Sequence, residues 1–222
     1  MENKEANTID YVFKKKPVYH FFKRAFDIFA SVLFLLIFSL PMLILLFIKF
    51  CEDGHNPVYV SYRVGKNGKI IKFHKIRSMR VDAQEMKAEM IEQGLNELDG
   101  PAFKMKDDPR VTKFGKFLRK SSLDETLQVW DILCGRMSVV GPRPPIQSEV
   151  EQYDEYQRHR LDVKGGLLCL WQVTKDRHSM SFDKWVELDI EYIKRRSIWL
   201  DFKIIMKGLW LMIIHPFGNN NL

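Results

Sequence analysis

Cysteine is scarce in this chain of 222 residues, which contains only three. Cys51, Cys134 and Cys169 are widely spaced and none forms a CxxC pair, so neither a disulfide framework nor a zinc site is indicated. Isolated cysteines are typical of a reducing compartment, and we therefore expect a cytosolic setting. The chain also lacks internal repeats and low-complexity segments, which excludes solenoid and array architectures.

Acidic residues are the minority charge, since 28 Asp and Glu stand against 35 Lys and Arg and leave a net charge of +7. This balance favours anionic partners such as nucleotides, phosphates and acidic lipid headgroups. We expect no nucleic acid partner, because no DNA- or RNA-binding motif is present and the basic residues are not interleaved with aromatic ones.

Long hydrophobic runs are limited to residues 25–48, AFDIFASVLFLLIFSLPMLILLFI. The run exceeds the roughly 20 residues that a helix needs to cross a bilayer. It is too long for a cleaved signal peptide, and no small-residue cleavage site follows it. Pro41, two residues after Ser39, removes a helical hydrogen bond near the middle, and cations flank both ends at Lys23, Arg24 and Lys49. These features fit either a broken, re-entrant helix or a kinked single span.

The composition divides the chain into three parts. Residues 1–22 are predicted to be a basic cytosolic tail near anionic headgroups, residues 23–50 a membrane helix, and residues 51–222 a domain of soluble type. Within that domain, residues 197–215 are apolar but interrupted by charges. They are therefore predicted to form an amphipathic helix in the membrane interface rather than a second span. The interrupting charges are Asp201, Lys203 and Lys207.

The domain is predicted to be α+β and predominantly helical. Residues 57–79 form two β-type runs around Gly65-Lys-Asn-Gly68, which predicts a β-hairpin with its turn at Asn67-Gly68. Helices are predicted from Val81 to Glu97 and again from Asp108, with Asp108 as N-cap and Pro109 in the first position.

Residues 117–145 contain the most distinctive chemistry, two adjacent carboxylates followed by a stiff Gly-Pro-Arg-Pro loop. Ser122 and Glu125 fit a helix capping box, and the helix that follows is predicted to bury Leu123, Leu127, Trp130 and Cys134. On this interpretation Asp124 and Glu125 are acidic residues in the first turn of a helix, a position that favours negative charge in any protein. Their position between cations, with Arg143 in the loop, instead favours a phosphate-handling site.

Several motifs, taken in order, resemble the bacterial sugar transferase family, the monotopic phosphoglycosyl transferases that include undecaprenyl-phosphate galactose or glucose phosphotransferases. The resemblance extends from Lys23 to Ile214. It is carried by RVGKNGK (63–69), HKIRSM (74–79), DPRVTKFGKFLRKSSLDE (108–125), GRMSVVGPRPP (135–145), LWQV (170–173) and SFDKWVELDIEYI (181–193). It implies transfer of a sugar 1-phosphate from a UDP-sugar to polyprenyl phosphate, with release of UMP.

The resemblance also implies roles for individual residues. Asp124 would be the nucleophile and Glu125 its partner, with one Mg²⁺ at the dyad. Phosphate groups would face Arg119, Arg143, Lys75, Arg77 and Arg177, although the run 174–177 reads Thr-Lys-Asp-Arg where the family has Ser-Gly-Arg. Ser39–Pro41 would be the break of a re-entrant helix, so that residues 51–222 would form a catalytic domain on the cytosolic face of the bacterial inner membrane.

Candidate partners are therefore the UDP-sugar, polyprenyl phosphate, the inner leaflet, a second copy of the chain and downstream glycosyltransferases. An alternative also stands: a non-catalytic, membrane-anchored basic module in which Asp124 and Glu125 only cap a helix. The residues do not distinguish galactose, glucose and N-acetylated amino sugars.

Overall fold

The computed structural model describes residues 16–95, 105, 107–174 and 180–214. The longer helices in this part of the chain are α1 Pro17–Asp53, α2 Ala83–Glu92, α3 Lys113–Lys120, α4 Gln128–Leu133, α7 Phe182–Arg195 and α8 Ile198–Ile214. Two four-residue helices, α5 Gln147–Val150 and α6 Glu155–Arg158, precede α7. The strands are β1 Val58–Val64, β2 Ile70–Ile76, β3 Ser138–Val140 and β4 Gly166–Leu168. The predicted helical α+β class with a hairpin is confirmed.

Helix α1 is longer than the predicted residues 23–50 at both ends. It begins with Pro17 in the first turn and ends at Asp53. The C-cap residue, Gly54, has a left-handed backbone (φ 69°) and donates its N–H to the Phe50 carbonyl. The backbone remains helical through Pro41. Within the described residues, α1 alone is long and apolar enough to cross a membrane. The predicted break at Ser39 and Pro41 therefore stays a prediction.

Both ends of α1 are attached to the rest of the protein. At the N-terminal end, the Arg24 guanidinium donates to the carbonyl oxygens of Ile132 (2.7 Å) and Leu133 (2.8 Å), which closes the C-terminal end of α4. At the C-terminal end, Asp53 accepts two hydrogen bonds from Arg77, at 2.8 and 2.7 Å. The intervening apolar side chains are largely exposed, which is what a membrane-contacting surface requires.

The predicted hairpin is confirmed, with β1 and β2 antiparallel and Val64 opposite Ile70. Its turn uses positive φ at Asn67 (57°) and Gly68 (75°), the residue types that tolerate the left-handed region best. Successive residues of β2 point to opposite faces, so Lys75 and His74 have different partners, which are described below. The Val64 N–H donates to the Pro145 carbonyl at 2.8 Å and fixes the Gly-Pro-Arg-Pro loop against the hairpin.

A short parallel pair, β3 and β4, contributes Val139, Val140 and Leu168 to the larger apolar cluster. Gly141 and Gly166 make this close approach possible, because a Cβ on Gly166 would overlap the backbone nitrogen of Gly141. Buried residues of α7 and α8 pack against the pair: Val186, Ile190, Tyr192, Ile193 and Ile204. Phe73, Ile132 and Met137 form a second cluster that joins the hairpin to α4.

The helix predicted to start at Asp108 begins later, so that prediction was wrong. Thr112 is the N-cap of α3, and its side chain accepts a hydrogen bond from the Gly115 N–H at 2.9 Å. Asp108 instead accepts two hydrogen bonds from the guanidinium of Arg110, at 2.8 and 2.6 Å. Arg110, two residues away, therefore binds the carboxylate to which the sequence rules assign the helix N-cap role.

Gly115 sets how closely α3 approaches the chain that follows β2. A Cβ at this position would overlap the carbonyl oxygen of Ser78, which also accepts the Thr112 N–H at 3.1 Å. We expect Gly115→Ala to destabilise the protein by about 3 kcal/mol, at the upper end of overpacking effects, because a backbone atom cannot rotate aside. Thermal unfolding of the detergent-solubilised full chain measures this, with Lys116→Ala on the exposed side of α3 as control. Equal midpoints for the two variants would contradict it.

A buried ion pair in the core predicts how stability depends on pH. Arg160 contacts one carboxylate oxygen of Asp189 at 2.8 Å, while the other oxygen, Oδ1, is buried without a hydrogen bond from the described residues. Burial raises the pKa of Asp189 to about 6 despite Arg160, compared with about 3.9 for an unfolded chain. The folded protein therefore keeps a proton that the unfolded chain has lost.

Stability should consequently fall as pH rises from about 4 to about 6, by at most about 3 kcal/mol. Asp189→Asn should remove this slope, because the amide does not titrate. Unfolding midpoints across the range provide the measurement. A slope unchanged in the Asn variant would show that another group is responsible.

The predicted C-terminal helix, residues 197–215, is present as α8 over Ile198–Ile214. Its inner side contains Asp201, which accepts hydrogen bonds from Lys23 and Tyr192, each at 2.8 Å. Its outer side leaves Trp199 and Trp210 exposed at 64% and 62%. An exposed apolar side with tryptophans fits a helix in the membrane interface.

Candidate functional site

The backbone around the two adjacent carboxylates differs from the predicted capping box. Ser122 is in the left-handed region (φ 57°) and its side chain makes no capping hydrogen bond. Residues Leu123–Glu125 form a single 3₁₀ turn, and α4 begins only at Gln128. The capping prediction was therefore wrong, and helix capping does not account for Glu125.

The predicted buried stripe was wrong for the same reason. The 3₁₀ turn changes the helical phase, so positions counted from Leu123 do not continue into α4. Trp130 is 52% exposed and Cys134 is exposed. The buried residues of α4 are Gln128, Val129, Asp131 and Ile132.

Glu125 forms ion pairs with two of the predicted cations. Its Oε1 lies 2.8 Å from Lys75 Nζ and 3.1 Å from Arg143 Nη2. Lys75 also lies 3.8 Å from Asp124 Oδ2, so one ammonium faces both carboxylates. The structure thus brings together four of the predicted site residues from three separate parts of the chain.

Asp124 is held differently from its neighbour. Its side chain is buried, and among the described residues no group donates a hydrogen bond to its carboxylate. Burial raises the pKa of Asp124 above its ordinary value, and Lys75 only partly opposes this. Burial also acts on Glu125, but Arg143 and Lys75 outweigh it and lower that pKa to about 2. Asp124 is therefore the more basic carboxylate, with its oxygens available for chemistry.

Three other residues, Arg119, Arg77 and Arg177, are predicted to bind phosphate groups, and the two that the structure describes differ in their contacts. Arg119, in the last turn of α3, donates from Nε to Ser78 Oγ at 2.9 Å, and its charge acts on Asp124. Arg77 donates to Asp53 and to the Asn56 carbonyl, so its guanidinium serves the contact between α1 and β2. Arg177 lies outside the described residues. A phosphate role for these three arginines stays a prediction.

Two groups that support the site were missed by the sequence analysis. Asp131, fully buried, accepts hydrogen bonds from the His74 N–H (2.8 Å) and Arg136 (2.9 Å), and its carboxylate lies 2.7 Å from His74 Nδ1. This fixes β2 against α4 next to Lys75. Arg63 lies 5.3 Å from the Phe73 ring and donates to the Pro144 carbonyl at 3.3 Å, which supports the loop of Arg143. Only the RVG motif could have drawn attention to Arg63, and no sequence pattern marks Asp131.

The carboxylates fit the way in which proteins bind Mg²⁺ beside phosphates. Within the described part of the chain, no group of three or more His, Cys, Asp or Glu residues could hold a metal by itself. Mg²⁺ is usually bound by one or two carboxylates together with substrate phosphates. Both oxygens of Asp124 and Oε2 of Glu125 accept no hydrogen bond from the described residues, so they are suitable ligands.

Comparison with known proteins agrees with this arrangement. A family model described as "Bacterial sugar transferase" matches residues 18–215. The chain is 42% identical over 192 residues to the "Galactosyl transferase CpsE" of Streptococcus agalactiae serotype III, covering 86% of this chain and 42% of that protein. It is 40% identical over 192 residues to the "Undecaprenyl-phosphate galactose phosphotransferase" of Salmonella typhimurium, covering 84% and 39%.

A third relative is close to this chain in length. The "Exopolysaccharide production protein ExoY" of Rhizobium meliloti is 38% identical over 197 residues, which cover 87% of this chain and 86% of that protein. By contrast, the chain spans about two fifths of the first two relatives. The similarity includes every residue of the candidate site that the structure describes.

Proposed function

The chain belongs to the bacterial sugar transferase family, and we propose that it transfers a sugar 1-phosphate from a UDP-sugar to undecaprenyl phosphate, releasing UMP. The observation that carries this proposal is the buried carboxylate of Asp124, free of hydrogen bonds from the described residues and facing Lys75 beside Glu125 and Arg143. The names of relatives, which include galactose and glucose phosphotransferases, support the same reaction class.

The transfer proceeds in two displacements at one phosphorus atom. An oxygen of Asp124 attacks the phosphorus that carries the sugar, and the bond to the UMP oxygen breaks with its electron pair leaving on UMP. The product is an aspartyl-phosphosugar. An oxygen of undecaprenyl phosphate then attacks the same phosphorus, the bond to Asp124 breaks, and the carboxylate is regenerated.

The cations supply the electrostatic part of this mechanism. A carboxylate and a diphosphate repel each other, so charge on the phosphoryl oxygens must be neutralised before attack. Arg143 uses Nη2 for Glu125, which leaves the rest of its guanidinium for a phosphate oxygen. Glu125, ionised at neutral pH, pairs with both Lys75 and Arg143, and both charges also act on Asp124.

Asp124 and Glu125 are the proposed Mg²⁺ ligands. The ion would add positive charge at the diphosphate and stabilise charge that develops on the departing oxygen. The residues of this chain would orient the substrate: Arg143 from the stiff loop, Lys75 from β2 and Arg119 from α3.

The contacts of α1 support a re-entrant position in the membrane. If α1 were straight, residues 27 and 49 would be about 33 Å apart, the thickness of a bilayer core. Yet Arg24 contacts α4 and Asp53 contacts Arg77, and α4 and β2 pack on each other through Ile132 and Phe73. A single span would place these attachments on opposite faces of the membrane. We therefore propose that both ends lie on the cytosolic face of the inner membrane.

This placement positions Asp124 near the lipid phosphate, which lies at headgroup depth. The product remains in the membrane, where downstream glycosyltransferases of an exopolysaccharide or capsule pathway would use it. Its location is the basis for including those enzymes among the proposed partners.

A nucleotide-release assay tests the proposed function. The purified full chain should release UMP, not UDP, when given undecaprenyl phosphate, Mg²⁺ and the correct member of a panel of UDP-sugars. Release of UDP would contradict the mechanism, because it requires transfer of the sugar without its phosphate. No nucleotide release with any UDP-sugar would favour the non-catalytic alternative.

A further inference from the structure

A cavity of about 270 Å³ lies away from the dyad, between the first turns of α1, the hairpin turn and the segment before β4. Asp124, Glu125, Lys75 and Arg143 are not among its lining residues. Its volume is just below the roughly 300–1,000 Å³ of cavities that hold drug-sized ligands, so it suits a headgroup better than a nucleotide sugar.

The lining of this cavity carries an excess of positive charge. It contains the permanent cations Lys23, Arg24, Lys66, Lys164 and Arg196. Two carboxylates oppose them: Asp27, which lines the cavity, and Asp201, which pairs with Lys23 at 2.8 Å. Asp27 is occupied by neutral donors, the Ser138 hydroxyl at 3.0 Å and the Val139 N–H at 2.9 Å. Lys23, Arg24, Lys66 and Lys164 alone therefore exceed these two carboxylates by two positive charges.

Two of the cations are held close together. A Cβ at Gly135 would lie 3.4 Å from Arg24 Nη2 and 3.7 Å from Lys164 Nζ, so these nitrogens are within about 7 Å of each other. Neither Lys66 nor Lys164 forms an ion pair with any residue that the structure describes. Burial and the charge of Arg24 lower the pKa of Lys164, Asp27 opposes them and Lys66 lowers it further, so the net effect of burial and like charges outweighs the one carboxylate.

The position of the cavity indicates the kind of anion. Four of its α1 residues precede the apolar run that begins at Ala25, and Asp27 lies in the first turn of that run. The neighbouring side chains of Phe21, Phe22 and Phe26 are exposed. A cavity at the edge of a membrane segment lies at headgroup level, where basic pockets bind the phosphates of anionic lipids.

We propose that this cavity binds the phosphate group of an anionic membrane lipid, held chiefly by Lys66, Lys164 and Arg24. Such a lipid would neutralise the excess charge and bind the hairpin turn and the start of α1 to the same headgroup. The proposal uses the membrane position of α1 but not the transfer chemistry.

Phosphatidylglycerol is a suitable probe. The full chain, in micelles of detergent and phosphatidylcholine, is titrated with phosphatidylglycerol, and native mass spectrometry counts the lipid retained. The wild type should retain one molecule at saturation. Because each lysine near such a surface contributes about fivefold, Lys66→Gln with Lys164→Gln should weaken retention about 25-fold.

The control is a second double variant with the same change in net charge. Lys69→Gln with Lys72→Gln alters exposed lysines of the same hairpin that do not line the cavity, and should reduce retention by less than about fivefold. Equal losses in both double variants would show general surface attraction and overturn the proposal. Absence of retained lipid in the wild type would do the same.

A further arm distinguishes lipid from dissolved anion. An equal concentration of inorganic phosphate should leave phosphatidylglycerol bound. Displacement by inorganic phosphate would overturn the assignment to a lipid, since the cavity would then take phosphate from water. No UDP-sugar or polyprenyl phosphate is present, so failure here leaves the proposed transfer reaction untouched.

Discussion

Asp124→Asn should lower UMP release by about 10⁴-fold or more, on the scale seen when a nucleophile is removed, while the protein remains folded. An amide nitrogen or oxygen does not form the proposed acyl-phosphate. The substitution preserves shape, and Asp124 accepts no hydrogen bond from the described residues that the amide would lose. Since burial already disfavours the charged form, a neutral group should not lower the thermal unfolding midpoint.

Asp131→Asn is the matched control, because it changes a nearby buried carboxylate that has a structural role. Asp131 accepts hydrogen bonds from His74 and Arg136, and loss of its charge leaves these donors poorly matched. We expect it to cost about 3–5 kcal/mol of stability, as for other broken buried pairs, while the protein that remains folded loses far less transfer activity than Asp124→Asn. Full activity in Asp124→Asn would refute the assignment of the nucleophile.

The contrast between these two carboxylates shows what the sequence could predict. Asp124 was identified because it lies in a long run of motifs whose order is specific. Asp131 has no such signal, since its partner His74 is 57 residues away and the contact depends on how β2 packs on α4. Local patterns carry no information about such distant pairing.

The sequence predicts local structure correctly where only a few residue types can adopt the backbone conformation that is required. Asn67-Gly68 indicated the hairpin turn, and both residues have the positive φ that such a turn requires. The same kind of reasoning failed at Ser122 and Glu125, where the capping pattern is present but the cap is not formed. Lys75 and Arg143, brought close by the fold, compete successfully for Glu125.

Arg77 is a predicted phosphate-binding cation whose guanidinium is bound by a carboxylate from another part of the fold. The family resemblance implied phosphate contacts for both Lys75 and Arg77, which lie two residues apart at the end of β2. The end of α1 brings Asp53 within 2.7 Å of the Arg77 guanidinium, whereas Lys75 faces the dyad. The C-terminal end of α1 thus gives Arg77 a carboxylate partner that the sequence did not indicate, and the phosphate contact of Arg77 stays a prediction.

Arg143→Met should lower kcat/KM for UMP release by about 10²–10³-fold, the usual effect of removing one preorganised charge-stabilising donor. The loop itself should stay in place, because backbone hydrogen bonds hold it on several sides. Val64 N–H donates to the Pro145 carbonyl at 2.8 Å, and Gly166 N–H donates to the Pro142 carbonyl at 2.9 Å. The variant therefore tests the guanidinium rather than the loop.

Two further variants make the Arg143 experiment specific. Arg143→Lys keeps the charge but loses the planar fork, so its activity should lie between wild type and Arg143→Met. Arg80→Met removes an exposed arginine paired with Asp82 and should leave activity unchanged. If Arg143→Met were as active as Arg80→Met, the contact with Glu125 would be structural only. If Arg143→Lys were instead fully active, a point charge would suffice and the planar guanidinium would not be required.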